Sequence, residues 1–172
     1  MKSKVTIAGH PVHSMVVSFP IAFYTATLAC VIAYQVSSDA LWFRMGYVAN
    51  IAGISFAVLA AILGIIDWSL AIPSQNPAKE TGRTHMMFNV MALILFSANA
   101  WLQSGEWNEI QPKATSAIYL TAFGLFCTIT AGFYGWNLVQ KHHVGIDMTA
   151  EQEKLEPAQP QKYFTAHIKK QA

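Results

Sequence analysis

An all-α, four-helix transmembrane bundle is the fold class that this sequence predicts. Three features carry it. The 172 residues are 53% hydrophobic and only 12% charged, about half the charge of a soluble domain. The charges are unevenly placed, and His13 is followed by no charged residue until Asp39. The apolar stretches between charges number four, each near the length of about 20 residues that crosses a hydrocarbon core as a helix. Strands would need alternation and a closed barrel, and no such pattern is present.

The spans fall at about residues 13–36, 45–66, 86–104 and 114–140. Lys2 and Lys4 precede the first, but its apolar run starts late, contains Pro20 and continues to about Gln35. It reads as a retained span rather than a cleaved signal peptide. Pro20 has no N–H to donate, so a kink or an unpaired carbonyl is expected near it. The second span is rich in small residues, including Ala49, Gly53, Ala57, Ala60, Ala61 and Gly64, and the fourth contains Gly124 and Gly132. Small residues let helix backbones approach closely in lipid. Trp42, Trp68, Trp101, Trp107 and Trp136 sit near span ends, as interfacial tryptophans do.

Short connections at residues 37–44, 67–85 and 105–113 imply up-down-up-down order, with both termini on one face. That face carries Lys2, Lys4, Lys79, Arg83, Lys141, Lys154, Lys162, Lys169 and Lys170, against Arg44 and Lys113 opposite. The positive-inside rule makes it cytoplasmic. A transmembrane domain over residues 1–146 and a polar cytoplasmic tail over 147–172 are therefore expected, the tail with a short helix at 149–156 capped by Thr149 and Gln152. Cys30 and Cys127 lie inside apolar runs, form no CxxC pair and read as buried apolar residues. No basic stripe interleaved with aromatics suggests nucleic acid.

The histidines carry the chemistry. All six, His10, His13, His85, His142, His143 and His167, fall on the terminal side of the predicted topology. In an up-down bundle helices 1 and 3 are diagonal, so His13 and His85 should face each other across the axis. Asp67 and His142 end the other diagonal, so His10, His13, Asp67, His85 and His142 are expected to converge on one layer near the terminal face, and Asn89 shares a helix face with His85. Ionisable groups facing a bundle interior mark functional sites. Two facing imidazoles suit the axial positions of a haem b, with His10 and His142 as a second pair or as groups supporting the ligands and Arg83 on a propionate. The same His10, His13, His85 and His142 with Asp67 would suit a non-haem Fe, Cu or Zn site. A structural or accessory subunit, or a transporter, is a third reading. No GxSxG, P-loop or GxGxxG is present, so a stand-alone enzyme is not favoured over an electron-transfer or oxidoreductase subunit. Expected partners are the lipid bilayer, redox proteins or quinone, and further subunits of a homo- or hetero-oligomer.

Four segments resemble the DUF2231 family of bacterial membrane proteins: "GHPVHSMVVSFPIAF", "AAILGIIDW", "RTHMMFN" and "LVQKHHVGI". The likeness covers about residues 8–146. It carries the family pattern to His10, His13, Asp67, Arg83, His85, Asn89 and His142. His143 stands where the family usually has glycine, and Ser14 replaces a proline. Relatives of this family are sometimes joined to Rieske-type or cytochrome modules. The resemblance thus implies membrane electron transfer in the bacterial cytoplasmic (inner) membrane.

Overall fold

Two helical hairpins, packed side by side, make up the computed structural model of the chain, which describes residues 1–146 together with 149, 151 and 154. A two-residue ladder comes first: β1 (Thr6–Ile7) pairs antiparallel with β2 (His10–Pro11). The turn between them places Ala8 at φ 49° and Gly9 at φ 81°. Pro11 is extended, at φ −69° and ψ 116°, so the chain enters α1 (Val12–Val16) only after it. The helix is then interrupted at Val17 and resumes as α2 (Ser18–Ser37). The cause is Pro20, which offers no N–H to the carbonyl of Val16 four residues earlier.

Ser38 ends α2 in the left-handed region at φ 57°. Asp39 caps α3 (Ala40–Leu70), accepting from the Leu41 N–H at 2.9 Å. After a short connection come α4 (Ala78–Ser104) and α5 (Thr115–Gln140). All four long helices, α1 and α2 counted as one from Val12 to Ser37, are long and apolar enough to span a membrane. The helices overrun the predicted spans: α3 starts five residues before 45 and α4 eight residues before 86. Hydropathy locates the segment that must lie in hydrocarbon, whereas the backbone stays helical beyond it. The 31 residues of α3 reach about 46 Å.

Each hairpin is closely packed, α2 on α3 and α4 on α5, while α3 meets α4 and α2 meets α5 between hairpins. The diagonals are therefore α2/α4 and α3/α5, as the short connections required. Polarity runs inside out. Ile32, Val58, Ile62, Phe126 and Ile129 face outward, while Thr27, Asn50, Asn99 and Thr121 are fully buried. Such a surface suits lipid, and buried polar groups then join helices. At the end away from the termini, Val31, Tyr34, Phe43, Ala114 and Ala117 form an apolar cluster. There the Tyr34 hydroxyl donates to the Pro112 carbonyl at 2.6 Å.

The two hairpins repeat one another. Tyr24 and Phe96 stand 72 residues apart, and each lies on a glycine of its own hairpin partner, Gly53 and Gly124, which are 71 apart. A Cβ added at either glycine would come within 2.7 Å of the ring. The sequence Gly-x6-Ala-x3-Gly recurs at Gly53, Ala60, Gly64 and at Gly124, Ala131, Gly135. The bundle thus has an approximate two-fold axis along its length. The tail helix expected at 149–156, apart from Thr149, Glu151 and Lys154, and His167 fall outside the described residues.

Candidate functional site

His13 lies in α1 with its ring against α3. Its Nδ1 is 2.9 Å from the Ala60 carbonyl oxygen. A carbonyl only accepts, so Nδ1 carries the proton and Nε2 is left with the lone pair. The approach depends on Gly64, one turn beyond Ala60, where a Cβ would sit 2.9 Å from His13 Cε1.

His85, two turns into α4, repeats the arrangement on α5. Its Nδ1 is 2.7 Å from the Ala131 carbonyl oxygen. Gly135 makes room, since a Cβ there would sit 3.0 Å from His85 Cε1. Asn89 adds a feature that His13 lacks: its amide donates to His85 Nε2 at 3.1 Å and to the His85 carbonyl at 2.9 Å. The two imidazoles are thus in the same tautomer, each fixed by a backbone carbonyl of its own hairpin.

Both rings line one cavity of about 470 Å³ in the terminal half of the bundle. This is within the size range of small-molecule and cofactor sites. Tyr24 lies at its inner end, Asn89 and Asp67 contribute polar groups, and small residues such as Ala57, Ala61 and Gly132 line its walls.

The N-terminal segment covers the mouth. Asp67 accepts from Ser3 Oγ at 2.6 Å and from the Lys4 N–H at 2.7 Å, one bond to each carboxylate oxygen. The Met1 ammonium donates to the His143 carbonyl at 2.9 Å, and the Gly145 N–H donates to the Met1 carbonyl at 2.8 Å. Ser3, Pro11, Val144 and Gly145 all border the cavity. The chain around Met1–Ser3 and the turn after α5 at His143–Gly145 therefore close over the same end.

The five-residue convergence expected around His13 is smaller in the structure. His13, His85 and Asp67 share the cavity. His10 does not: it is exposed on β2 and its ring bonds the Ala8 carbonyl at 3.0 Å, because extended Pro11 separates it from the helix. Arg83 lies on the outer face of α4, paired with Glu80 one turn before it. His142 turns its Nε2 toward Thr81 Oγ1 at 3.2 Å and does not line the cavity. Partial burial lowers its pKa, aided by the positive charge of Lys141 and by His143. Among the described residues no three His, Cys, Asp or Glu side chains group as a metal set.

Sequence reasoning missed the residues that orient the imidazoles. The Ala60 and Ala131 carbonyls and the clearances at Gly64 and Gly135 belong to the repeated Gly-x6-Ala-x3-Gly. The signal was the offset of 71 to 72 residues that relates them and His13 to His85.

A family model described as predicted membrane protein (DUF2231) matches residues 9–148. No curated protein and no solved structure matches the chain.

Proposed function

The chain belongs to the DUF2231 family of predicted membrane proteins, and on that footing we propose that it is a b-type cytochrome-like electron carrier, with a haem held between His13 and His85. One observation carries this reading: the two imidazoles enter one cavity from diagonal helices, each with Nδ1–H on a backbone carbonyl. Such a bond fixes the ring and makes Nε2 a stronger donor to iron.

The donor set also favours haem over a bare metal. A porphyrin brings four nitrogens and asks the protein for two axial ligands. A bare Zn, Fe or Cu ion asks for three or four from the protein. Beyond the two histidines the cavity offers Asp67, whose oxygens already hold Ser3 and Lys4. The fit has two requirements. The Asn89 amide must leave His85 Nε2 for its other partner, the His85 carbonyl. Arg83 would reach a propionate only by leaving Glu80.

When bound, the haem would accept and release single electrons. The protein's part is to hold both imidazoles neutral and oriented, and to surround the site with apolar and small side chains. The N-terminal segment limits water at the mouth. With the terminal face cytoplasmic, as the lysine and arginine distribution supports, electrons would enter or leave on that side of a bacterial inner membrane. A redox protein or quinone would be the partner, and the chain would serve as a subunit rather than a stand-alone enzyme.

The test is an absorption spectrum of the full chain, expressed with ample haem and purified in detergent, oxidised and then dithionite-reduced. A Soret band that shifts and sharpens on reduction supports the proposal. Its absence, with one equivalent of Fe, Cu or Zn by elemental analysis, supports the bare-metal reading. Absence of both leaves an accessory or structural role.

A further inference from the structure

Below the ring pair of Tyr24 and Phe96, away from the termini, the bundle interior turns polar. Each long helix contributes one side chain there: Thr27 from α2, Asn50 from α3, Asn99 from α4 and Thr121 from α5, all 0% exposed. They share a layer because each lies three residues from a member of the ring-on-glycine contacts, Tyr24 on Gly53 and Phe96 on Gly124. Gln103, 2% exposed, follows one turn along α4. None of these side chains borders the cavity of His13 and His85.

Their hydrogen bonds leave a specific remainder. The Thr27 hydroxyl donates to the Phe23 carbonyl at 2.8 Å, and Thr121 donates to Ala117 at 2.6 Å. Asn50 Nδ2 crosses from α3 to donate to the Phe96 carbonyl at 3.1 Å. Asn99 Nδ2 donates to Gln103 Oε1 at 3.2 Å. Three amide atoms of this layer then have no partner: Asn50 Oδ1, Asn99 Oδ1 and Gln103 Nε2. In a span surrounded by hydrocarbon, bulk solvent cannot serve them.

We propose that this layer is a binding site for one ordered water molecule, held by Asn50, Asn99 and Gln103. The remainder is two acceptors and one donor. Water has two O–H donors for the Asn50 and Asn99 oxygens and a lone pair for the Gln103 N–H. A sodium ion would be attracted by the two oxygens but would face the positive end of the Gln103 N–H dipole. Terminal amide torsions are soft, so the three side chains can turn toward one shared partner. The water joins α3 to α4, one hairpin to the other, at a depth where lipid gives no hydrophobic drive for helices to associate.

The test is water-edited solid-state NMR on the full chain in phosphatidylcholine bilayers, with ¹⁵N in the side-chain amides. Magnetisation from water should reach the Asn99 and Gln103 side-chain amides at short mixing times, several-fold faster than the backbone amides of Phe96 and Ala100. Asn50→Leu, which removes one acceptor of the water from the other hairpin and leaves the Asn99–Gln103 bond in place, should reduce transfer to Asn99 and Gln103 at least two-fold. Build-up at Asn99 and Gln103 no faster than at Phe96 in the unsubstituted chain would overturn the proposal. Replacing sodium chloride by choline chloride should leave the amide shifts unchanged, and a change confined to Asn50 and Asn99 would assign the site to a cation instead. None of these readouts depends on haem.

Discussion

The ring of Tyr24 lies flat on that of Phe96, with centroids 3.6 Å apart and planes within 1° of parallel. The two residues hold equivalent places in the two hairpins, so the stack lies on the approximate two-fold axis. Above it His13 and His85 are related in the same way, and below it the polar layer is. The repeat therefore explains why the bundle presents two imidazoles to one cavity.

Equivalent substitutions in the two hairpins should have equivalent effects. Gly53→Ala and Gly124→Ala each place a Cβ 2.7 Å from a ring atom, of Tyr24 and Phe96 respectively. Overpacking of this kind costs about 1–3 kcal/mol. Unfolding of the two variants in mixed detergent and SDS should shift by similar amounts in the same direction. A large loss in one and none in the other would argue against the two-fold relation.

Gly64→Ala and Gly135→Ala should displace the imidazoles of His13 and His85 and weaken haem binding at least ten-fold. Gly132→Ala is the internal control. It borders the same cavity, yet its added Cβ meets nothing within 4 Å. In a helix it should be neutral or stabilise by about 0.5–1 kcal/mol, with haem affinity retained. Hemin titration monitored in the Soret region checks all three.

Asp67→Ala should unlatch the N-terminal segment without unfolding the bundle. It removes the acceptors of Ser3 Oγ and the Lys4 N–H. Hydrogen bonds to a charged group contribute about 1.5–3 kcal/mol each. Hydrogen exchange in residues 1–11 should speed up more than ten-fold, with helical amides of α3 and α4 unchanged. Uniformly faster exchange through the helices would mean that Asp67 supports the whole fold.

The pKa of His142 is lowered from its ordinary 6.5 in the folded chain, so the fold favours the neutral ring. A histidine of this kind leaves stability intact above 6.5 and erodes it as pH falls through that value and below, because the unfolded chain binds the proton more readily. His142→Gln should flatten the acid limb of the stability profile between about pH 7 and pH 5. The same slope in both proteins would exclude His142 as its source.

Much of this architecture was legible in the sequence. Charge-free stretches marked the spans, Pro20 marked the interruption near Val17, and short connections set the diagonals that bring His13 and His85 into one cavity. Asn89 was placed correctly by helical spacing. Proximity in sequence misled elsewhere. His10 is three residues from His13, but Pro11 directs it outward, and Arg83 is two residues from His85 on a different helix face. The helices run past the predicted spans because charged residues such as Arg44 and Lys79 can remain helical beyond hydrocarbon. The orienting carbonyls of Ala60 and Ala131 were out of reach, since any backbone oxygen reads alike in sequence. Only the glycines beside them and the repeat could have marked them.

Hemin titration of the detergent-solubilised full chain, compared across the unsubstituted protein, His13→Ala, His85→Ala and His10→Ala, tests the central claim most directly. Ligation by His13 and His85 predicts one haem per chain with a low-spin, six-coordinate spectrum. Either cavity substitution should abolish that spectrum, and His10→Ala should leave it intact. Absence of stoichiometric haem binding by the unsubstituted chain, or the same low-spin spectrum in His13→Ala and His85→Ala, would contradict it.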